Sequence, residues 1–269
     1  MMRRLLVYSV LGSLLAHPVW MNAAPDVALP RTMLYDNKPI HPECLSFFGD
    51  SSRFDPVNLA TCGHAAGTAD GAGVLRSVSR GDESWQEYQP PSGRGYDRYR
   101  YLGTRGGLSY IQNEGNWGGS GNFSWVNAFE RKGDVVSLKK DIAGGDRCNG
   151  GIISASLVNG NIRVTSRVTP RALLALDPDM KGYLASIDYG NLEDSALSCV
   201  GEARFINEKL SSIRIDPDAI ESPRRGDKTY MGCMSSELMN AKQAKALTLD
   251  PEALAMLIVH MKVCAGERM

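Results

Sequence analysis

From Tyr96 to Ile215 side-chain polarity alternates with a period of two, and this pattern restricts the fold more than any other stretch of the chain. Phe123, Trp125, Asn127 and Phe129 alternate with smaller or polar residues, as do Val136, Leu138 and Ile142. Ile153, Ala155 and Leu157 follow, then Ile162, Val164, Ser166 and Val168. A strand points successive side chains to opposite faces, so each segment reads as a strand with one buried face. The breaks are turn signals: Lys132-Gly133-Asp134, a glycine-rich stretch at 143–151, and Asn159-Gly160, a pair suited to a two-residue hairpin. Tyr96–Leu102 and Leu108–Gln112 add strands before this run, and Ala203–Ile206 and Ile213–Ile215 add strands after it. The expected fold is mainly β: an antiparallel meander, sandwich- or barrel-like, over residues 96–215. No repeat of fixed period appears, which disfavours a propeller or solenoid.

The flanking segments read differently. Arg3 and Arg4 precede an apolar run from Leu5 to Ala16, broken at His17-Pro18 and followed by Asn22-Ala23-Ala24. That order of charged, apolar and small residues is the plan of a secretory signal peptide over residues 1–24, and the run is too short for a membrane span. Residues 25–95 are rich in Pro, Gly, Asp and Ser and read as an irregular segment pinned to the core, with a strand only at Val74–Val78. Thr169-Pro170 starts a short helix through Leu176. Residues 216–269 read as a helical hairpin: Ser235-Ser236-Glu237 caps one helix ending near Leu247, and Asp250-Pro251-Glu252 opens another.

Export gives the cysteines their meaning. Cys44, Cys62, Cys148, Cys199, Cys233 and Cys264 are even in number, and an oxidising compartment favours disulfides over free thiols. No Cys-x-x-Cys or His-x₃-His spacing suggests zinc. Pairing of neighbours suits three successive modules. For Cys233 and Cys264 there is a geometric argument as well, because two short antiparallel helices bring the start of the first beside the end of the second.

Function is less legible. Lys and Arg balance Asp and Glu at 30 each, so the chain lacks the electrostatic footprint of a nucleic-acid binder. The basic clusters at Arg94–Arg100 and Arg224-Arg225 read as solvated surface. Beyond the leader the histidines are His41, His64 and His260; a Cys44–Cys62 bridge would draw the first two together, either as a metal or acid/base pair or only by coincidence around the disulfide loop. No metal-protease, EF-hand or P-loop pattern is present, and no cofactor or metal is expected. Gly118-Gly119-Ser120-Gly121-Asn122 departs from a nucleophile elbow. Asn122-Phe123-Ser124 is a glycosylation sequon, meaningful only in a eukaryotic secretory pathway.

Two glycine-rich stretches remain as candidate sites. In "IAGGDRCNGGI", 142–152, Arg147 sits between glycine pairs with Asp146 and Asn149 beside it. The stretch is either a stapled strand connection, with Asp146 and Arg147 satisfying backbone groups or each other, or a loop presenting a guanidinium to a carboxylate or phosphate. In "NEGNWGGSGNFSW", 113–125, Trp117 follows Asn116 among glycines, where an indole either folds back over the sheet edge or stays exposed to stack on a sugar or anchor a protein. The expectation is a secreted or periplasmic, non-enzymatic protein that binds a protein or glycan through these loops. A hydrolase with dispersed carboxylates and a structural envelope component are the alternatives.

The order of regions at the start of the chain predicts a mature N-terminus within a few residues of Pro25. N-terminal sequencing of the exported protein checks this, and a product retaining Arg3 and Arg4 contradicts it.

Overall fold

A computed structural model describes residues 29–46, 55–65, 73–178, 180, 195–222 and 226–266. The expected leader lies outside the described residues, as do Phe47, Phe48 and Phe54 of the segment between Cys44 and Cys62. Among the described residues fourteen strands run in chain order: β1 Leu34–Tyr35, β2 Lys38–Pro39, β3 Val57–Asn58, β4 Val74–Arg80, β5 Glu83–Gln89, β6 Tyr96–Arg105 and β7 Leu108–Asn116. They continue with β8 Phe123–Lys132, β9 Val135–Asp146, β10 Ile152–Val158, β11 Asn161–Val168, β12 Gly201–Ile206, β13 Lys209–Ile215 and β14 Thr248–Leu249. The helices are α1 Leu59–Ala65, α2 Pro170–Leu174, α3 Tyr230–Gln243 and α4 Pro251–Cys264. The protein is mainly β, with three antiparallel sheets and a C-terminal helical pair.

The larger sheet has seven strands in the order β3-β9-β8-β7-β6-β5-β4, and the smaller has five, β10-β11-β12-β13-β14. Short hairpins join most neighbours, and Asn159 and Gly160 both adopt the positive φ (50° and 72°) that the β10–β11 turn requires. The meander is therefore two sheets rather than one. The glycine-rich stretch is where the chain leaves the first for the second.

The sheets meet over part of the larger one. Tyr110, Val126 and Ala128 pack against Ile152, Ala155, Ile162 and Val164. The remainder of this inner face is ionic: Arg76, Glu87, Arg98 and Glu114 lie directly opposite one another across four strands, with alternating sign. Arg76 Nη2 is 2.7 Å from Glu87, and Arg98 Nε donates to Glu114 at 2.9 Å. Arg98 also lies over the rings of Trp85 and Tyr96.

The outer face of the larger sheet is covered by the N-terminal segment. Met33, Ile40, Leu45 and Leu59 bury Tyr99, Ile111, Phe129, Val136 and Leu138, and the Tyr99 hydroxyl donates to the Ile40 carbonyl at 3.0 Å. Residues before 96 are thus less irregular than their composition suggests, for β4 and β5 form a complete hairpin at the sheet edge. Their alternation is hidden in the sequence because Trp85 and Glu87 bury one face of β5 while Gln86 and Tyr88 bury the other.

The far end of the smaller sheet packs on the helices, with Val168, Ala203, Ile213 and Ile215 against Leu173, Met234, Leu238, Leu254, Ile258 and Met261. Asp250 caps α4 as expected, accepting from Ala253 N, and Pro251 fills the first helical position. The first helix of the pair starts earlier than its serines suggest: Thr229 is the cap, and Ser236 sits inside α3, donating back to the Gly232 carbonyl. Thr169 caps α2, which ends at Leu174.

The disulfides join neighbours: Cys44–Cys62, Cys148–Cys199 and Cys233–Cys264, with Cα separations of 5.8, 4.8 and 5.9 Å. The last closes a 31-residue separation across the helical pair, and loop-entropy arguments put its contribution at about 3–4 kcal/mol. Cys233→Ser with Cys264→Ser is expected to lower the unfolding free energy from denaturant titration by about 3–4 kcal/mol, with a steeper slope because the unlinked unfolded chain exposes more surface. Non-reducing peptide mapping that joins Cys264 to any residue but Cys233 contradicts the arrangement.

Candidate functional site

The two glycine-rich stretches meet at one end of the larger sheet. Phe123, Ser124 and Trp125 of β8 lie opposite Asp146, Gly145 and Gly144 of β9. Just before β8, Asn122 N donates to Asp146 Oδ1 at 2.8 Å and its carbonyl accepts from Arg147 N at 3.2 Å. Strand β9 runs through Gly144 and Gly145 to Asp146, so the connection is tighter than the glycines alone imply. Asp146 and Asn149 exchange backbone hydrogen bonds around a turn whose tip is Arg147-Cys148. The two strand glycines are there for close approach: a Cβ on Gly144 would overlap the Trp125 ring, and one on Gly145 would overlap the Asn149 carbonyl.

Arg147 adopts a positive φ of 44°, and its guanidinium closes on the adjacent carboxylate, Nε to Asp146 Oδ1 at 3.1 Å and Nη2 to Oδ2 at 2.9 Å. It lines a small pocket of about 130 Å³ with Tyr96, Glu114, Ser124 and Arg167, on the inner side of the sheet. Cys148, through Cys199 and a bond from its N–H to the Ala196 carbonyl, ties the turn to the approach to β12. Asn149 is exposed. Asn116 organises the other loop, donating to the Gly119 and Gly121 carbonyls and accepting from Gly118 N. The residues singled out in the sequence are thus neighbours, yet they divide between two faces. Arg147 borders the inner face; Trp117 lies over the outer one.

On that outer face three rings stand in a row. Trp117 lies 5.4 Å from Phe123, and Phe123 lies 5.7 Å from Trp125 at an interplanar angle of 16°. Register and glycines build the row: Phe123 and Trp125 point to the same side of β8, and Gly121 and Gly144 leave space for their rings. Trp117 is 53% exposed, and Phe123 and Trp125 are half-buried.

Beside the row is a carboxylate. Asp97, on β6, is buried and accepts from Trp117 Nε1 at 3.2 Å and from Ser46 Oγ at 3.3 Å. Burial pushes its carboxyl above the usual range, and the two hydrogen bonds oppose that shift. Glu43 is raised as well, by burial and then by the charge of Asp97. His41 packs edge-on against Tyr88 with centroids 4.4 Å apart, and burial lowers its pKa. Tyr88 lies opposite Asp97 in the sheet. Asp97, Glu43 and Tyr88 have no spacing signature that a sequence reading can find. Phe123 and Trp125 enter such a reading only as members of an alternating strand.

The Cys44–Cys62 bridge joins the turn after His41 to α1, but the side chain of His64 lies outside the described residues. His260 is exposed, its Nδ1 3.4 Å from Glu237. Among the described residues no cluster of three His, Cys, Asp or Glu side chains is arranged to hold a metal ion, and no helix is long and apolar enough to cross a membrane. No family model, curated protein or solved structure matches the chain.

The raised pKa of Asp97 makes a prediction whose sign is fixed. A carboxyl that holds its proton more tightly when folded contributes stability fully present below its unfolded pKa, and that stability is lost as pH rises through the folded value. At neutral pH the buried charge therefore opposes folding. Asp97→Asn keeps an acceptor for Trp117 and is expected to melt higher than wild type at pH 7, with the gap closing as pH falls into the ordinary carboxylate range. A lower melting temperature for the variant at pH 7 contradicts this account of Asp97.

Proposed function

We propose that this chain is an exported, non-enzymatic binding protein that recognises a glycan on the outer face of its larger sheet. The observation that carries the reading is the row Trp117, Phe123 and Trp125 beside the buried carboxylate of Asp97. Trp117, 53% exposed at the end of the row, offers apolar ring surface to the C–H face of a sugar unit while Phe123 and Trp125 back it, and a carboxylate accepts from sugar hydroxyls. Retaining a buried charge at some cost in stability fits a group kept for binding. Asn116 shapes the loop that carries Trp117. Asp146, Arg147 and Asn149 hold the adjoining strand end in register. The leader-like start and the three disulfides support an oxidising destination, secreted or periplasmic.

A second reading, hydrolysis, draws on one further observation: Asp97 and Glu43 are both held toward their protonated forms, and a raised carboxyl suits a general acid. Release of reducing ends from a bound oligosaccharide, abolished by Asp97→Asn, would favour it over simple binding.

Calorimetric titration with hexasaccharides of glucose and of N-acetylglucosamine tests the binding reading. Trp117→Ala is expected to weaken affinity by about tenfold or more, as loss of a central aromatic anchor does. Its stability is expected to fall by about 1–3 kcal/mol because the buried Asp97 carboxylate loses the indole donor, so affinities are compared at a temperature where both proteins are fully folded. Undiminished affinity in Trp117→Ala rejects the aromatic row as the site.

A further inference from the structure

A second surface, on the smaller sheet, carries a charge pattern that the aromatic site does not use. Helices pack on one face of that sheet, while its other face presents Arg163, Thr165 and Arg167 of β11 with Arg204 of β12. Register places Thr165 between Ser154 and Arg204, and Arg204 opposite Ser212. Arg163 and Arg167 flank Thr165 two residues to either side, so each is a diagonal neighbour of Arg204, about 7–8 Å away. All three arginines are exposed, and none of the three guanidinium groups forms an ion pair or hydrogen bond with another described residue. Arg214, next along the sheet, is by contrast paired with Glu202 at 2.8 Å. Glu202 lies opposite Arg167 on the same face but is taken up by Arg214, so in a chain whose charges balance overall this face keeps a local excess of positive charge.

The surface is a basin as well as a patch. A pocket of about 530 Å³ is floored by the hydroxyls of Ser154, Ser156, Thr165, Ser211 and Ser212 and flanked by Arg163 and Arg204, with no acidic side chain in its lining among the described residues. Arg163 and Arg167 are four residues apart on one strand, about 13 Å, with Arg204 between them across the sheet. A single phosphate cannot engage all three forks at that spacing, whereas an extended chain with an acid on successive units can. Phe205, half-buried against the helical core, also lines the pocket, but among the described residues no second ring lines it, so successive nucleic-acid bases have no stacking platform there.

We propose that this face binds a carboxylate-bearing polysaccharide, a uronate polymer in chemical class, with Arg163, Arg204 and Arg167 each forking one carboxylate and the serine and threonine hydroxyls meeting the sugar. Guanidinium forks match carboxylates bidentately, which a lysine ammonium does not. The arginines are not members of the aromatic row, although Arg167 and Phe123 border one small pocket, and the proposal stands or falls without that row.

Affinity electrophoresis in polygalacturonate gels tests the proposal, with neutral dextran as reference. Wild type is expected to be retarded by polygalacturonate alone, and retardation should fall as salt rises. Replacing the three arginines together with glutamine is expected to weaken binding by about thirtyfold or more at an unchanged melting temperature, and replacing them with lysine should lose most of that despite the kept charge. Lys38→Gln, on β2, removes a charge elsewhere and should leave retardation as in wild type. Equal retardation of wild type and the glutamine variant, full activity of the lysine variant, or tighter binding of a single-stranded DNA oligonucleotide than of polygalacturonate overturns it.

Discussion

The apolar contact between the two sheets, Tyr110, Val126 and Ala128 on one side and Ile152, Ala155, Ile162 and Val164 on the other, covers only part of the larger sheet. Much else in the structure answers that shortfall. Where the smaller sheet does not reach, the inner face cannot be apolar without exposing a broad hydrophobic surface. It carries the row Arg76, Glu87, Arg98, Glu114 instead, in which each interior charge has an opposite charge on both sides. Arg98 is 8% exposed at its side chain, and removing one partner of such a buried pair costs about 3–5 kcal/mol, so the row holds the β4–β7 half of the sheet together as a unit.

The opposite face meets the same constraint differently. A short N-terminal segment, with little regular structure to stiffen it, supplies Met33, Ile40 and Leu45, and the Cys44–Cys62 bridge limits the freedom it must give up on folding. That cover does not hide the sheet end where β8 begins. There the sheet presents rings and a carboxylate in place of a core, and glycines at 121 and 144 make the rings fit. Exposed aromatics, a buried acid and close-packed glycines concentrate where the demands of folding are weakest.

The strands and hairpins of the meander were legible because alternation and turn chemistry act locally, as at Asn159-Gly160. Neighbour pairing of the cysteines was legible for a related reason: each bridge closes a compact module. What escaped depends on contacts distant in sequence. Strand β5 shows no alternation because Trp85, Gln86, Glu87 and Tyr88 are all buried, two to each face. Gly144 and Gly145 read as a loop because nothing local reveals that Trp125 must lie across the first of them. The Arg147–Asp146 fork was one of two arrangements the sequence left open, and only the turn geometry places the two side chains together. Asp97 acquires its character from Trp117 and Ser46, the latter 51 positions away.

The central claim is that the outer-face aromatic row, and not the buried ionic face, meets the ligand. Indole N–H resonances report it directly, because Trp117 and Trp125 belong to the row while Trp85 is 1% exposed on the inner face and serves as an internal reference. In a nitrogen-15 titration with a neutral hexasaccharide, the Trp117 and Trp125 indole signals are predicted to shift together and saturably while that of Trp85 stays in place. Movement of the Trp85 signal alone, or of none of the three at saturating sugar, would contradict the account.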